Sequence, residues 1–387
     1  EAVVTPSQMG VPFGRRSPHL RGPYSMPNHN LTDGAATASA FGGLSDITHV
    51  FYAAYQEHDD PKQQVDVNLA MLRNLVNAVD GASPALQRVV LYEGAKYYGA
   101  HLGAFPTPAH EDDPRQMPPM FYYDQEDFLR SAAASRPWDM VVLRPDVVCG
   151  FAIGNPMNLS MVIAVYAEIS KELGLPLRFP GTVDCYGRLA QVTDASQLAA
   201  GSQWAAEKAA SGEAYNLTNS DLFRWNKVWK SVADYFQMEL APPMPISLTD
   251  LMADKGPIWD RIVAKYGLVA TPFEKVAAWG FGDFIFRCDW DVITSTTKIR
   301  QAGFHDVVDS EAMFLRLFDE FRARKVIPLA AGSYRREQAT VRACGAKRAR
   351  IAGGWHVLHG ESRRHGDHAG AAADGAEFRR PAGDGER

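Results

Sequence analysis

Three short runs of β-branched and aromatic residues, with helical stretches between them, constrain this chain more than any other feature. "ITHVFYAAY" (47–55), "LQRVVLYEG" (86–94) and "WDMVVLRPDVVCGF" (138–151) each carry a continuous apolar centre. Strands buried on both faces have that character. After the first run, "VDVNLAMLRNLVNAVDG" (65–81) has apolar residues at helical spacing and stops at Gly81. A second helix is expected from "FYYDQEDFLRSAAAS" (121–135). Strand, helix, strand, helix, strand predicts an α/β fold built on a doubly wound parallel sheet covered on both faces. In such sheets the ligand crevice lies outside the carboxyl ends of the strands. Those ends are Ala53-Ala54-Tyr55, Tyr92-Glu93-Gly94 and Arg144-Pro145-Asp146.

The rest of the chain falls into zones around this core. Residues 1–45 are rich in Gly, Pro, Asn and Ser and show little periodicity. The core is expected over 1–155, and a mainly helical lobe with returning strands, rich in Trp and Phe, over 156–328. Residues 329–387 are dominated by Ala, Gly and Arg, a composition with too little apolar surface to offset the cost of ordering, so disorder is the expectation. His356, His359, His365 and His368 form two HxxH pairs there, but no carboxylate or cysteine completes a metal site. The net charge of -5 offers no electrostatic case for a nucleic-acid partner. No apolar run approaches the roughly 20 residues that span a bilayer, and the first residues lack a signal-peptide pattern. The four cysteines are scattered, without a CxxC pair, which fits a reducing cytoplasm.

The stretch "MFYYDQED" (120–127) sets two adjacent tyrosines at the start of a helix, with acidic residues in its first turn. One phenol can pack while the other is presented to a pocket as an acid or oxyanion donor, if a cation stands near. Lys96 in "LYEGAKYYG" follows a strand end by one short turn and is the best candidate. A second pairing is open. Tyr92 and Lys96 are spaced Y-x-x-x-K, as in short-chain dehydrogenases that carry both groups on one helix. Here Tyr92 closes a strand and Gly94 intervenes, which favours a tyrosine of the "FYY" pair.

Taken together, these phrases resemble the progesterone 5β-reductase/iridoid synthase-like reductases, a branch of the extended short-chain dehydrogenases with a Rossmann-like sheet. The resemblance rests on "LSDITHVFYAAY" (44–55), "EGAKYYG" (93–99), "FYYDQED" (121–127), "RPDVVCGF" (144–151) and "PMNLSMVIAVYA" (156–167). It continues through "LPLRFPG" (175–181), "EAYNLTNSDLFRWNKVWK" (213–230), "WGFGDF" (279–284) and "RKVIP" (324–328). It implies reduction of an activated C=C bond of an enone or enal by NADPH, with Lys96 and Tyr123 as the catalytic pair and Tyr122 structural. By position it also implies Arg15 and Arg16 at the cofactor's 2′-phosphate and Asn30 and Leu31 beside the adenine. Ala53, Ala54, Tyr55 and Tyr92 would touch the cofactor at the strand ends, and Pro145 and Val148 would approach the nicotinamide.

The family begins with a strand and a G-x-x-G-x-x-G turn that grips the pyrophosphate. Only fourteen residues precede Arg15 and they carry no such glycine pattern, so the first strand and its turn are expected to be missing or replaced. Two rival functions follow: a carbonyl reductase or sugar-nucleotide epimerase on the same scaffold, and a homologue whose cofactor binding is impaired.

Overall fold

Alternation inside each apolar run decides the layers. Strands β2 (His49–Tyr52), β3 (Arg88–Tyr92) and β4 (Asp139–Pro145) stand side by side, with Val50 opposite Val89 and Leu91 opposite Val142. Side chains of a strand point alternately to its two faces. Val50, Tyr52, Val89, Leu91, Met140 and Val142 therefore share one core with helices α1 (Gly34–Phe41), α2 (Pro61–Ala82) and α3 (Phe121–Ala133). Phe51, Val90, Tyr92, Val141 and Leu143 pack on the other face, beneath the helix Ala195–Glu207. The sheet continues from β4 to the strand Ala214–Leu217, and every pairing in it is parallel.

The computed structural model describes residues 30–155 and 157–329, and the backbone of residues 2–4. The first strand is expected to be missing or replaced; Ala2–Val4 forms a short strand, β1, parallel to β2 and outermost among the described strands of the sheet. The expectation of an absent glycine turn concerns residues 5–29, and that of a disordered tail concerns 330–387 almost entirely; both lie outside the described residues.

Helix α2 begins four residues before the apolar period does. Asp60 caps it by accepting from the Lys62 N–H at 2.8 Å, and Pro61 opens the first turn, where its missing N–H costs nothing. Asn68 on this helix accepts from the Gln56 N–H at 2.8 Å and donates to the Gln56 carbonyl at 2.7 Å. That double bond pins the chain leaving β2, which carries Ala53, Ala54 and Tyr55.

The helical region packs around α4 (Leu159–Glu172), which is buried on nearly every side. Phe179, Trp225, Trp229, Phe286 and Phe314 form edge-on and tilted aromatic contacts beside it. Strand β5 (Val148–Cys149) pairs in parallel with Thr193–Asp194 and starts this second core directly after β4. Among the described residues no helix is long and apolar enough to cross a membrane.

Leu75, fully buried on α2 against the sheet, tests which layer holds the fold. Leu75→Ala is expected to cost about 2–5 kcal/mol in urea unfolding. A loss below about 0.5 kcal/mol, the range of surface substitutions, would mean that α2 is not packed on the sheet as described.

Candidate active site

The three strand ends named from the sequence do converge, and strain marks the place. Val147, two residues past β4, has φ 34°, a left-handed conformation that a β-branched residue rarely adopts. Thr193 holds it there. Its Oγ1 donates to the Asp146 carbonyl at 2.6 Å, and its N–H donates to the Val147 carbonyl at 3.2 Å. Strain of this kind, of order 1–3 kcal/mol, concentrates at functional sites. Asp146 is buried beside it, and that burial pushes its carboxyl up to about 6.

Beyond β3 the chain passes Glu93 and Gly94 into one turn of 3-10 helix, Ala95–Tyr98, which carries Lys96. Gly94 lets neighbouring groups approach the chain closely. A β-carbon there would sit 3.2 Å from the Pro145 carbonyl oxygen and 3.5 Å from the Tyr122 hydroxyl. Among the described residues no hydrogen bond or ion pair engages the Lys96 ammonium. Burial lowers its pKa, an effect partly opposed by Glu57.

The two tyrosines of α3 meet different surroundings. The Tyr123 hydroxyl donates to the Tyr97 carbonyl at 2.7 Å and accepts from the Gln116 N–H at 2.8 Å. Its ring meets Tyr97 edge-on, and the Arg115 guanidinium lies over it. That phenol is fully engaged in the backbone. The Tyr122 hydroxyl makes no hydrogen bond among the described residues and faces Gly94. Burial raises its pKa most, followed by the fields of Glu93, Tyr55 and Asp146. Those three groups come one each from the ends of β3, β2 and β4.

The remaining expected residues fall as follows. Tyr92 ends on the opposite face of the sheet, where its hydroxyl meets Ser202 Oγ at 2.5 Å; Ser202 itself donates to the Leu198 carbonyl. Tyr92 and Lys96 share no helix, so the Y-x-x-x-K pairing does not form. Tyr55 stacks on Phe121 at 5.3 Å and accepts from Gln64 Nε2 at 2.8 Å. Ala53 is exposed, Ala54 and Pro145 are buried, and Val148 is exposed on β5. Leu31 packs into the core on the α2 side and its carbonyl accepts from Asn74, whereas Asn30 is exposed and accepts from Thr32. Arg15 and Arg16 lie outside the described residues, as do the two HxxH pairs.

Behind the crevice lies a charge network that sequence reasoning missed. Arg144, on β4, is 1% exposed. Its Nε donates to Glu93 Oε2 at 2.7 Å, Nη1 to the Tyr98 hydroxyl and the Glu111 carbonyl at 3.1 Å each, and Nη2 to Glu126 Oε2 at 3.2 Å. Glu126, on α3, also accepts from Arg130 Nε at 2.8 Å. Burial pushes the Glu93 carboxyl up to about 8, against the pull of Arg144. A signal was present: strand alternation sends Glu93 and Arg144 to the α3 face, where an isolated charge needs a partner.

A parallel sheet covered by helices on both faces, with Tyr122 and Lys96 near its carboxyl ends, has the architecture of the dinucleotide-binding folds. Glycine at position 94 lets the ends of β3 and β4 and the Tyr122 hydroxyl approach closely, since a β-carbon there would crowd the Pro145 carbonyl oxygen. The PRISE-like Rossmann-fold domain matches residues 34–328, and the chain belongs to that family. It is 33% identical over 322 residues to an (S)-8-oxocitronellyl enol synthase of Nepeta racemosa, covering 79% of this chain and 81% of that protein. Similarity to the (S)-8-oxocitronellyl enol synthase of Catharanthus roseus is 33% over 310 residues, covering 77% and 79%. Among solved structures, RMD from Pseudomonas aeruginosa complexed with NADPH has a TM-score of 0.52 at 15% identity, covering 79% of this chain and 92% of that one. The UDP-glucose 4-epimerase of Thermotoga maritima, also at 0.52 and 15%, covers 76% and 83%. The two structures share the fold.

Arg144→Met tests the network. Breaking a buried ion pair from one side costs about 3–5 kcal/mol. The loss should also depend on pH. Glu93 stands above its ordinary 4.5 in the folded state, so its burial subtracts stability as pH rises from 4.5 to about 8. Removing Arg144 raises that carboxyl further, so the deficit should be larger at about pH 9 than at about pH 5. An equal deficit at both would mean that Arg144 does not hold the Glu93 charge.

Proposed function

We propose that this protein is an NADPH-dependent reductase of activated C=C bonds, acting on an enone or enal. The observation that carries this reading is the unpartnered Tyr122 hydroxyl at the meeting of three parallel strand ends, with the unpaired Lys96 on the turn beside it. When bound, NADPH supplies a hydride to the β-carbon of the substrate. Ala53, Ala54 and Tyr55 would hold it along the β2 end, Pro145 and Val148 would approach the nicotinamide, and Arg15 and Arg16 would meet the 2′-phosphate with charge-assisted bonds.

The chain's own residues then manage charge. As hydride arrives, negative charge develops on the substrate's carbonyl oxygen. Tyr122 donates a hydrogen bond to that oxygen, and Lys96 supports the charge from behind. Both interactions are strongest near the transition state, which is where they accelerate the step. The relatives' name, an enol synthase, is consistent with passage through an enolate. A carbonyl reductase or epimerase working through a helical Tyr-x-x-x-Lys pair is less well supported, because Tyr92 faces the other side of the sheet.

This reading assigns the reacting phenol to Tyr122 and a structural role to Tyr123. Tyr122→Phe is expected to lower enone turnover about a hundredfold with little change in melting temperature. Tyr123→Phe should retain most turnover and lose about 0.5–1.5 kcal/mol of stability, since the half-buried Gln116 N–H loses its acceptor and the Tyr97 carbonyl its donor. Steady-state kinetics and thermal unfolding of both variants decide it; the reverse pattern would return the role to Tyr123.

Cofactor choice gives a second test. NADPH should bind more tightly than NADH, and Arg15→Ala with Arg16→Ala should erase the difference in fluorescence titration. Equal affinities in the unmodified chain would remove the basis for the 2′-phosphate assignment. No binding of either nucleotide would favour a non-catalytic homologue.

A further inference from the structure

Glu93 has a feature that the network around it does not explain. One carboxylate oxygen, Oε2, is held by Arg144, but Oε1 is buried and has no partner. It is the one buried carboxylate oxygen in this condition among the described residues. An orphaned buried acceptor is costly unless something satisfies it, and a proton on that oxygen removes the charge that makes it costly. The structure also brings Glu93 to the reacting phenol. Glu93 precedes Gly94, whose missing β-carbon would lie 3.5 Å from the Tyr122 hydroxyl. Strand alternation turns the Glu93 side chain toward the face covered by α3, the helix that carries Tyr122. After burial itself, the Glu93 carboxyl is the strongest influence on that phenol.

We propose that Glu93 is a positioning residue that stores a proton for Tyr122 and returns it to the phenol during turnover. The proposal rests on the reductase reading above. The Tyr122 O–H bond breaks as the substrate's enolate oxygen takes that proton and becomes an enol. Glu93 Oε1 and the Tyr122 hydroxyl share no direct hydrogen bond, so the return runs through one water: the Glu93 Oε1–H bond breaks as that water takes the proton, and the water gives up a proton to the Tyr122 oxygen. The negative charge ends on the Glu93 carboxylate, opposite the Arg144 guanidinium, until solvent restores the proton. Arg144 is thus placed where it stabilises the charge once it has moved, at 2.7 Å from Oε2. The groups that bear on Glu93 from the surrounding elements are Arg144 on β4, Glu126 and Tyr122 on α3, and Arg115 in the loop before α3. Burial leaves the carboxyl up at about 8, so it holds its proton at neutral pH.

Two measurements test this, one of which needs no turnover. In the first, the pH profile of kcat/KM for an enone is compared between the unmodified chain and Glu93→Gln. Gln has the shape of the protonated acid and preserves the packing, so a merely structural Glu93 predicts unchanged profiles. The proposal predicts that rate falls above about pH 8 in the unmodified chain as the stored proton is lost. In Glu93→Gln, kcat drops roughly ten- to a hundredfold, that alkaline limb disappears, and NADPH affinity is retained. A variant with near-normal kcat and the same limb overturns the proposal.

The second follows the carboxylic-acid C=O stretch by infrared difference spectroscopy across pH, in the unmodified chain and in Tyr122→Phe. A buried acid titrating near 8 is expected, distinct from Asp146, which burial raises only to about 6. Its titration should shift when the phenol is removed. An unshifted titration overturns the link even if enone reduction is found. A shifted titration in a chain that reduces no enone would retain the proton link and reject the reductase reading. Should Glu93→Gln fail to fold, this comparison still decides.

Discussion

Arg144 is the constraint on which the rest of the site depends. A guanidinium that is 1% exposed must have its charge and its donors met inside the protein. Four of its N–H groups are met by hydrogen bonds to Glu93, Tyr98, Glu111 and Glu126. The fit is further closed by the Tyr97 ring, whose centroid lies 3.4 Å from the guanidinium carbon. These partners come from the end of β3, the Lys96 turn, the long loop before α3, and α3 itself. One side chain therefore fixes the spacing between the element that carries Lys96 and the element that carries Tyr122. Such a network is a poor way to gain stability, since apolar residues of the same volume often do as well. Its value here is geometric.

The same network reaches further through Tyr98 and Glu111. The Tyr98 hydroxyl donates to Asn216 Oδ1 at 2.6 Å, and the Asn216 N–H donates to Glu111 Oε1 at 2.7 Å. Asn216 Nδ2 donates in turn to the carbonyls of Ala109 and Ser295. The Pro-rich loop over 104–119, with few regular backbone bonds of its own, is thereby tied to the strand Ala214–Leu217. A long loop beside a ligand crevice needs such anchors if it is to shape the crevice repeatedly in the same way.

Much of this architecture was legible in the sequence because it follows from local periodicity. The three apolar runs became β2, β3 and β4, and the carboxyl ends inferred from them are where Gly94, Asp146 and Val147 gather. What was not legible depends on contacts distant in sequence. Glu93 and Arg144 are fifty-one residues apart and looked like strand-end punctuation rather than partners. The start of α2 was misjudged because "PKQQ" lacks apolar period, although Asp60 and Pro61 carried the capping signal. Tyr92 could have been excluded earlier. In a run where Val89 and Leu91 face α2, Tyr92 must face away with Val90.

The two adjacent phenols at the start of α3 differ in what the surrounding chain offers them. Successive residues on a helix point about 100° apart, so two adjacent phenols at one helix start cannot serve one pocket. Which one turns to the strand ends depends on where the rest of the chain offers acceptors and donors. The Tyr97 carbonyl and the Gln116 N–H lie on one side, and together they satisfy the Tyr123 hydroxyl as donor and as acceptor. That engagement fixes the rotation of the first turn of α3, and the rotation in turn leaves the Tyr122 hydroxyl toward Gly94 without a hydrogen-bond partner among the described residues. Tyr123 is therefore not idle in this arrangement. By binding the backbone on both sides, it holds its neighbour's phenol at the strand ends.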